Sequence, residues 1–446
     1  VLARDVDWAE PELVASGADC GILALFDSAG TVGQRARFSY LCLDPFAIVA
    51  GDDAGALDRL GRALEAYRRP RDQAVAGAFS FCGGAAGLAG YEFGAALQGV
   101  SRPDGAGAPG LFFGLYDLVV GFDRQMRTCR VFSSGLPQTG AARQRRAAAR
   151  LDWACGLVRT APLAAAAPPP LDWRADWDAA TYRSRMGRVL DYIRAGDIFQ
   201  ANLTMRHVAP RPALYAAGAA YQALRRRNPA PFGGWLRLPG HDLCCSSPER
   251  FISIDAAGLM ETRPIKGTAK RDADPACDAA LAEGLRESAK DRAENVMIVD
   301  VLRNDIGRVA ALGSVGVPAL CALESFATVH HLVSAVTGRL APGRTAVDLL
   351  RAALPGGSVT GAPKIRAMQI IRELEAAPRG AYCGSMAWIG FDGAMDSNIV
   401  IRSLVLTDAT VVAQAGGGIV ADSDPEREYA EMMLKAAPLL AGGADS

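Results

Sequence analysis

The sequence predicts an α+β protein, on three observations. Short apolar runs separated by Gly-rich turns fill the first part of the chain, a series of alternating strands occupies its middle, and amphipathic helices at 3.6-residue spacing interrupt both. In order, "CGILALF" (20–26), "FAIVAG" (46–51) and "LYDLVVGFD" (115–123) read as strands, with a helix over "ALDRLGRALEAYRR" (56–69) between the last two. The glycines of "GGAAGLAGYEFG" (83–94) are too irregular for a dinucleotide-binding fingerprint and read as tight turns beside a strand. The Ala/Pro-rich "APLAAAAPPPLDW" (161–173) is the sharpest change in composition. It predicts an N-terminal lobe over 1–165, a linker over 166–175 and a catalytic region over 176–440.

The second region opens on a helix, "DAATYRSRMGRVLDYIRAGD" (178–197), whose Tyr182, Met186, Val189, Leu190 and Ile193 share a face and which ends at Gly196. In the strand that follows, Ile198, Gln200, Asn202 and Thr204 lie on one face, polar enough to meet water or line a site. "GGWLRL", "DLCCSS" and "RFISID" continue as strands, and "DAAG" (255–258) turns the chain into "LMETRPIKGT". Lys266 then stands at the end of a hairpin strand, where Pro264 stops the ladder and Gly267 lets the backbone turn.

Composition narrows the function classes. The chain has 446 residues, half of them apolar, and Lys+Arg balance Asp+Glu at 48 each, so there is no global basic field to hold nucleic acid. The Arg runs at 142–150 and 224–229 read as solvated faces of Ala-rich helices. No apolar run approaches the length of a membrane span, and no secretory signal is evident, so a cytoplasmic location is expected. Ten cysteines occur singly, apart from adjacent Cys244 and Cys245, and with only four histidines a structural zinc or a His-based metal site is poorly supported.

Carboxylates and lysines supply the remaining chemistry. "DSDPEREYAEMMLKAAPLLAGG" predicts a helix with Asp424 as N-cap, Pro425 in the first turn and Gly442 just past its end. Glu428, Glu431 and Lys435 share a face there, either as an ordinary ion-paired surface or as part of a site with the glycines 416–418. In "KDRAENVMIVDVLRNDIGRV", Asp291 and Glu294 precede an apolar stripe of Val296, Met297, Val299, Val301 and Leu302. Two such acidic helices suit a Mg²⁺ bound together with an anionic substrate. "GGSVTGAPKIRAM" fails as a phosphate-binding P-loop because Lys364 follows Pro363, but Ser358 and Thr360 still precede a helix that favours an anion. Glu249 in "SSPERF" and Lys266 reach the ends of neighbouring strands, where an acid and an amine could work as proton donor and nucleophile.

Taken together, "GDIFQANLT", "SPERF", "TRPIKGT", "DVLRNDIGRV", "GGSVTGAPKIRAM", "AYCGSMAWIG", "SNIVIRSL" and "QAGGGIVADSDPEREYAE" resemble the chorismate-utilising enzymes. The "PIKGT" lysine is that of the branch that aminates chorismate at C4 and keeps its enolpyruvyl group. The resemblance implies a large antiparallel β-sandwich core flanked by helices, with chorismate in a cleft. It further implies that Lys266 adds to C2 of chorismate and that Glu249 protonates the departing C4 hydroxyl. Glu294 and Glu431 match Mg²⁺ ligands, with Asp291 and Glu428 around them. Arg402, Tyr382, Gly416, Gly418 and Lys435 match positions that hold the two substrate carboxylates, and His331 and Ser358 match ring-side and carboxylate contacts. Gln200 falls where the water-using relatives carry a lysine, which argues against water as the nucleophile. Asn295 departs from the histidine of many relatives, which bears on the surroundings of the metal.

No glutaminase Cys-His-Glu set is evident, so ammonia is expected from a separate glutaminase subunit in a heterodimer. Anthranilate formation at the same site, and a non-catalytic subunit that stimulates a glutaminase, are the competing readings.

Overall fold

The computed structural model describes residues 1–30, 36–102, 110–325 and 329–441. Two antiparallel sheets of 12 and 10 strands face each other, and helices cover their outer faces. Strand alternation builds these layers directly. On strand Leu23–Asp27, Leu23 and Leu25 point outwards to a core shared with helices Pro11–Gly17, Gly140–Arg159 and Ala217–Arg227, whereas Ala24 points inwards to the core between the sheets. Trp388, Met386, Phe81 and Tyr116 fill that inner core. Cys244 and Cys245 follow the same rule and face opposite sides of strand His241–Ser247, so the pair cannot chelate as one unit.

The division near residues 166–175 does not separate two cores. In the larger sheet, strand Leu23–Asp27 pairs with Phe232–Leu238; in the smaller, Gly84–Ala89 pairs with Ser385–Gly390. Both halves therefore contribute to both sheets. The stretch predicted as one strand over 115–123 is two, Leu111–Tyr116 in the smaller sheet and Leu118–Asp123 in the larger, so the chain crosses between sheets at Asp117. "GGAAGLAGYEFG", expected as turns beside a strand, supplies the buried strand Gly84–Ala89 and the helix Tyr91–Leu97.

The arginine runs also differ from expectation. Arg146 and Arg150 reach the fully buried Asp117 at 3.4 and 3.1 Å, and Arg225 pairs with Asp27 at 2.6 Å and Glu12 at 3.0 Å. A carboxylate buried at a crossover demands a paired cation, and a long Arg on a neighbouring helix supplies one. Other elements fall as the sequence indicates. Asp178 caps helix Ala179–Arg194, and Asp424 caps Pro425–Leu440, while position 442 lies outside the described residues. Among the described residues no helix is long and apolar enough to cross a membrane.

The Glu12 cluster makes stability depend on pH. Burial pushes the Glu12 carboxyl from 4.5 up to about 7, against the pull of Arg225. Between those values the folded state binds more protons than the unfolded state, so stability falls as pH rises and the loss is complete above about 7. Glu12→Gln should flatten this decline and melt above the wild type at pH 8, as read by calorimetry across pH 4 to 8.

Candidate active site

Lys266 sits just beyond a break in the smaller sheet. Strand Leu259–Thr262 pairs with the distal part of Val329–Arg339, the chain is interrupted at Arg263 and Pro264, and Ile265–Lys270 resumes pairing along the same partner. Lys266 is thus the second residue of a resumed strand rather than the last of a finished one. Gly267 is the extra residue in a bulge between the pairs Lys266–Leu332 and Thr268–His331. Its φ is +76°, and a Cβ there would lie 2.9 Å from Leu285 and 3.0 Å from Asp291, so only glycine lets the acidic helix Ala289–Gly307 approach.

That approach brings Glu294 to the lysine. Lys266 Nζ and Glu294 Oε1 are 4.0 Å apart, with 16% and 14% of the side chains exposed. Glu294 also borders the glycine strand Thr410–Ile419, where a Cβ on Gly418 would stand 3.1 Å from Glu294 Oε1 and 2.3 Å from Gln200 Nε2. The missing side chain is what lets Gln200 and Glu294 approach the strand here. Glu249 follows strand His241–Ser247 and is partly accessible. Desolvation raises its pKa, while a hydrogen bond with Ser358 and the charge of Lys266 oppose the rise.

A cationic end closes the cleft. Lys435 Nζ donates to Gly416 O at 3.2 Å and pairs with Glu431 at 2.7 Å, and Arg402 donates to Lys435 O at 2.8 Å. Burial lowers the Arg402 pKa, opposed by Tyr382 and Glu431, which places all three in one electrostatic neighbourhood. Burial also acts to raise the Glu431 pKa, but Lys435, Lys290 and Lys266 outweigh it and hold the carboxyl below its usual range. His331 Nδ1 lies 2.9 Å from Thr268 Oγ1, one bulge away from Lys266.

The predicted acidic set is distributed rather than clustered. Glu428 accepts from Ser423 Oγ at 2.7 Å and lies 3.7 Å from Lys290 Nζ, and the Asp291 carboxyl is held by the Ser288 hydroxyl at the helix N-terminus. Among the described residues no three His, Cys, Asp or Glu side chains converge as a ready metal cluster. The donors nevertheless fit a hard cation of the Mg²⁺ type, which needs only one or two carboxylates with waters and substrate oxygens. Glu294, Glu428 and Glu431 are all oxygen donors, and each already stands against a lysine ammonium.

Several neighbours were not identified from sequence. Lys290 stands four residues before Glu294, a spacing that puts both on one helix face. Arg379 and Glu375, also four apart, form a buried pair behind the site: Arg379 donates to Val359 O and Asn202 O, and Glu375 accepts from Thr204 N and Oγ1. The buried stripe of the acidic helix runs through Asn295, Ile298, Val299, Leu302, Asp305 and Ile306, whereas the expected Val296 is exposed. Polar Asn295 belongs to the stripe because it donates to Leu332 O and accepts from Ser334 Oγ. Lys364 is taken by Asp305, at 2.5 Å, and by Ala353 O.

Paired antiparallel sheets flanked by helices bring together a largely buried lysine, an acid whose pKa burial raises, and a group of carboxylates each set against a lysine. Residues 28–441 match the family described as chorismate binding enzyme, and the chain belongs to that family. It is 45% identical over 359 residues to aminodeoxychorismate synthase component 1 of Klebsiella aerogenes, covering 80% of this chain and 76% of the relative. It is 39% identical over 415 residues to anthranilate synthase component 1 of Thermus thermophilus, covering 92% and 87%. A crystal structure of anthranilate synthase component I from Streptococcus pneumoniae superposes with a TM-score of 0.80 at 31% identity, over 92% of this chain and 94% of that one.

The environment of Glu249 has a spectroscopic consequence. Its carboxyl band in difference infrared titrations, assigned with Glu249→Gln, should titrate above the ordinary glutamate range. Ser358→Ala removes the hydrogen bond that opposes the shift and should move the midpoint higher still. A midpoint unchanged by Ser358→Ala would show that the bond does not act on the ionised form.

Proposed function

We propose that this chain aminates chorismate to 4-amino-4-deoxychorismate, using ammonia delivered by a separate glutaminase subunit. The observation that carries the reading is Lys266 itself, a largely buried primary amine 4.0 Å from Glu294 and within the electrostatic reach of Glu249, whose pKa burial raises. Relatives named aminodeoxychorismate synthase component 1, at 45%, 42% and 40% identity, support the same reaction. The anthranilate-forming reading has support from the Thermus relative, but a nucleophilic lysine serves no step in direct amination at C2.

In the first step the neutral Lys266 amine adds to C2 and loses a proton, the ring double bonds shift, and the C4 hydroxyl leaves as water with the proton of Glu249. In the second, ammonia adds at C4, the double bonds return, and Lys266 departs as the free amine. The sum is chorismate plus ammonia giving aminodeoxychorismate and water, so no oxidant or reductant is needed. Glu249 suits the acid role because burial pushes its pKa upwards, against the opposing pull of Ser358 and Lys266. Arg402 and Lys435, with the backbone N–H groups of Gly416 and Gly418, would orient the carboxylates, while Tyr382, His331, Ser358 and Gln200 border the ring. Mg²⁺ held by Glu294 and Glu431, with Asp291 and Glu428 nearby, would supply positive charge against a substrate carboxylate.

With chorismate and Mg²⁺ but no ammonia, peptide mass spectrometry should find chorismate minus water on Lys266. Lys266→Ala should show no adduct and lose at least a thousandfold in rate with ammonium. Full activity of that variant would overturn the covalent route. The purified chain should use ammonium and not glutamine, and glutamine-dependent product from it would remove the need for a partner. Glu431→Ala should abolish turnover while melting within a few degrees of wild type, and near-normal activity at limiting Mg²⁺ would remove Glu431 from the metal site.

A further inference from the structure

The strand Gln200–Pro210 turns Gln200, Asn202 and Thr204 to one face, and that face is buried rather than solvated. Thr204 is fully engaged with Glu375 and Gln414. Its two neighbours are not. Among the described residues, neither amide atom of Gln200 has a hydrogen-bond partner, and neither does Asn202 Oδ1, although the two residues are 0% and 8% exposed. A buried carbonyl oxygen without a donor is costly to keep and calls for an explanation.

The main chain of Asn202 is fixed on this face. Its N–H donates to Thr360 O at 2.8 Å, its carbonyl accepts from Arg379 at 2.7 Å, and it pairs across the ladder with Gly418. A Cβ on Gly418 would meet Gln200 and Glu294, so this rung lies beside Glu294, the partner of Lys266. Two unpaired carbonyl oxygens, with Gln200 Nε2 as one unpaired donor beside them, favour a ligand that brings at least two N–H or O–H donors. Chorismate answers poorly, because its two carboxylates and its ether are acceptors and only the C4 hydroxyl donates. Ammonia brings three N–H donors and one lone pair.

We propose that Asn202 is a positioning residue for the incoming ammonia, its Oδ1 and Gln200 Oε1 accepting two N–H groups so that the nitrogen lone pair is aimed at the ring. The inference rests on the amination reading above. It assigns the unpaired oxygens to the second substrate, and therefore separates the two Michaelis constants.

The test is steady-state formation of aminodeoxychorismate by the purified chain, with ammonium varied at saturating chorismate and the reverse. Asn202→Leu should raise KM for ammonium about tenfold and leave KM for chorismate within twofold, with an unchanged or higher melting temperature. Asn202→Asp keeps an oxygen at Oδ1 and should hold KM for ammonium at or below the wild-type value. A Leu variant with unchanged ammonium KM overturns the proposal, as does one in which both constants rise together with a lower melting temperature. If Asn202→Leu fails to fold, the Asp variant decides, and a raised ammonium KM in it overturns the proposal. No aminated product from the wild type would sink the amination reading itself, and this inference with it.

Discussion

Two strand pairings hold the molecule together. Leu23–Asp27 against Phe232–Leu238 and Gly84–Ala89 against Ser385–Gly390 each join the first part of the chain to the last, and without them both sheets end in rows of unpaired N–H and C=O groups. The core between the sheets obeys the same constraint, since Tyr40, Phe81 and Tyr116 pack with Leu236, Met386 and Trp388. Once the sheets are fixed face to face, the chain has to cross between them, and Asp117 marks one such crossing. The buried Asp117 with Arg146 and Arg150 follows from that geometry.

The cleft uses the sheets as rigid walls and the helices as carriers of charge. Glu294 arrives on one helix and Glu431 with Lys435 on another, while Lys266 and the glycines belong to strands. Carboxylates and amines alternate so closely that each holds a counter-charge before any substrate enters. Glu249 stands apart because burial dominates its surroundings, whereas the cations around Glu431 dominate there. Two carboxyls in one site are thereby pushed in opposite directions, one suited to carry a proton and the other to stay ionised. Behind the wall, Arg379 ties Val359 and Asn202 together, so the polar strand and the Ser358 segment keep a fixed spacing.

Local pattern carried much of this in the sequence. The caps at Asp178 and Asp424, the helix through Tyr182 and Met186, and the turn at 255–258 follow from short-range chemistry and are legible without a fold. So are the acidic pair on one helix and the glycines opposite, because type and spacing define them. What escaped was whatever depends on a distant partner. Arg225 reads as one of three surface arginines until Asp27 and Glu12 are known to lie beneath it, and the same holds for Arg150 and Asp117. Asn295 interrupts an apolar stripe for the sake of a carbonyl and a hydroxyl on another strand. The Ala/Pro-rich stretch is a change in composition, but composition carries no information about which sheet a flanking strand will join.

The shared sheets also bear on the order of events during synthesis. Strand Leu23–Asp27 waits for a partner roughly 200 residues downstream, which at ~5–20 residues per second is ~10–40 s of translation. Gly84–Ala89 waits for Ser385–Gly390, nearly the whole remaining chain. Throughout that interval the nascent protein presents apolar strand edges that have no native neighbour in existence. A protein with this connectivity completes its sheets only when their last strands leave the ribosome.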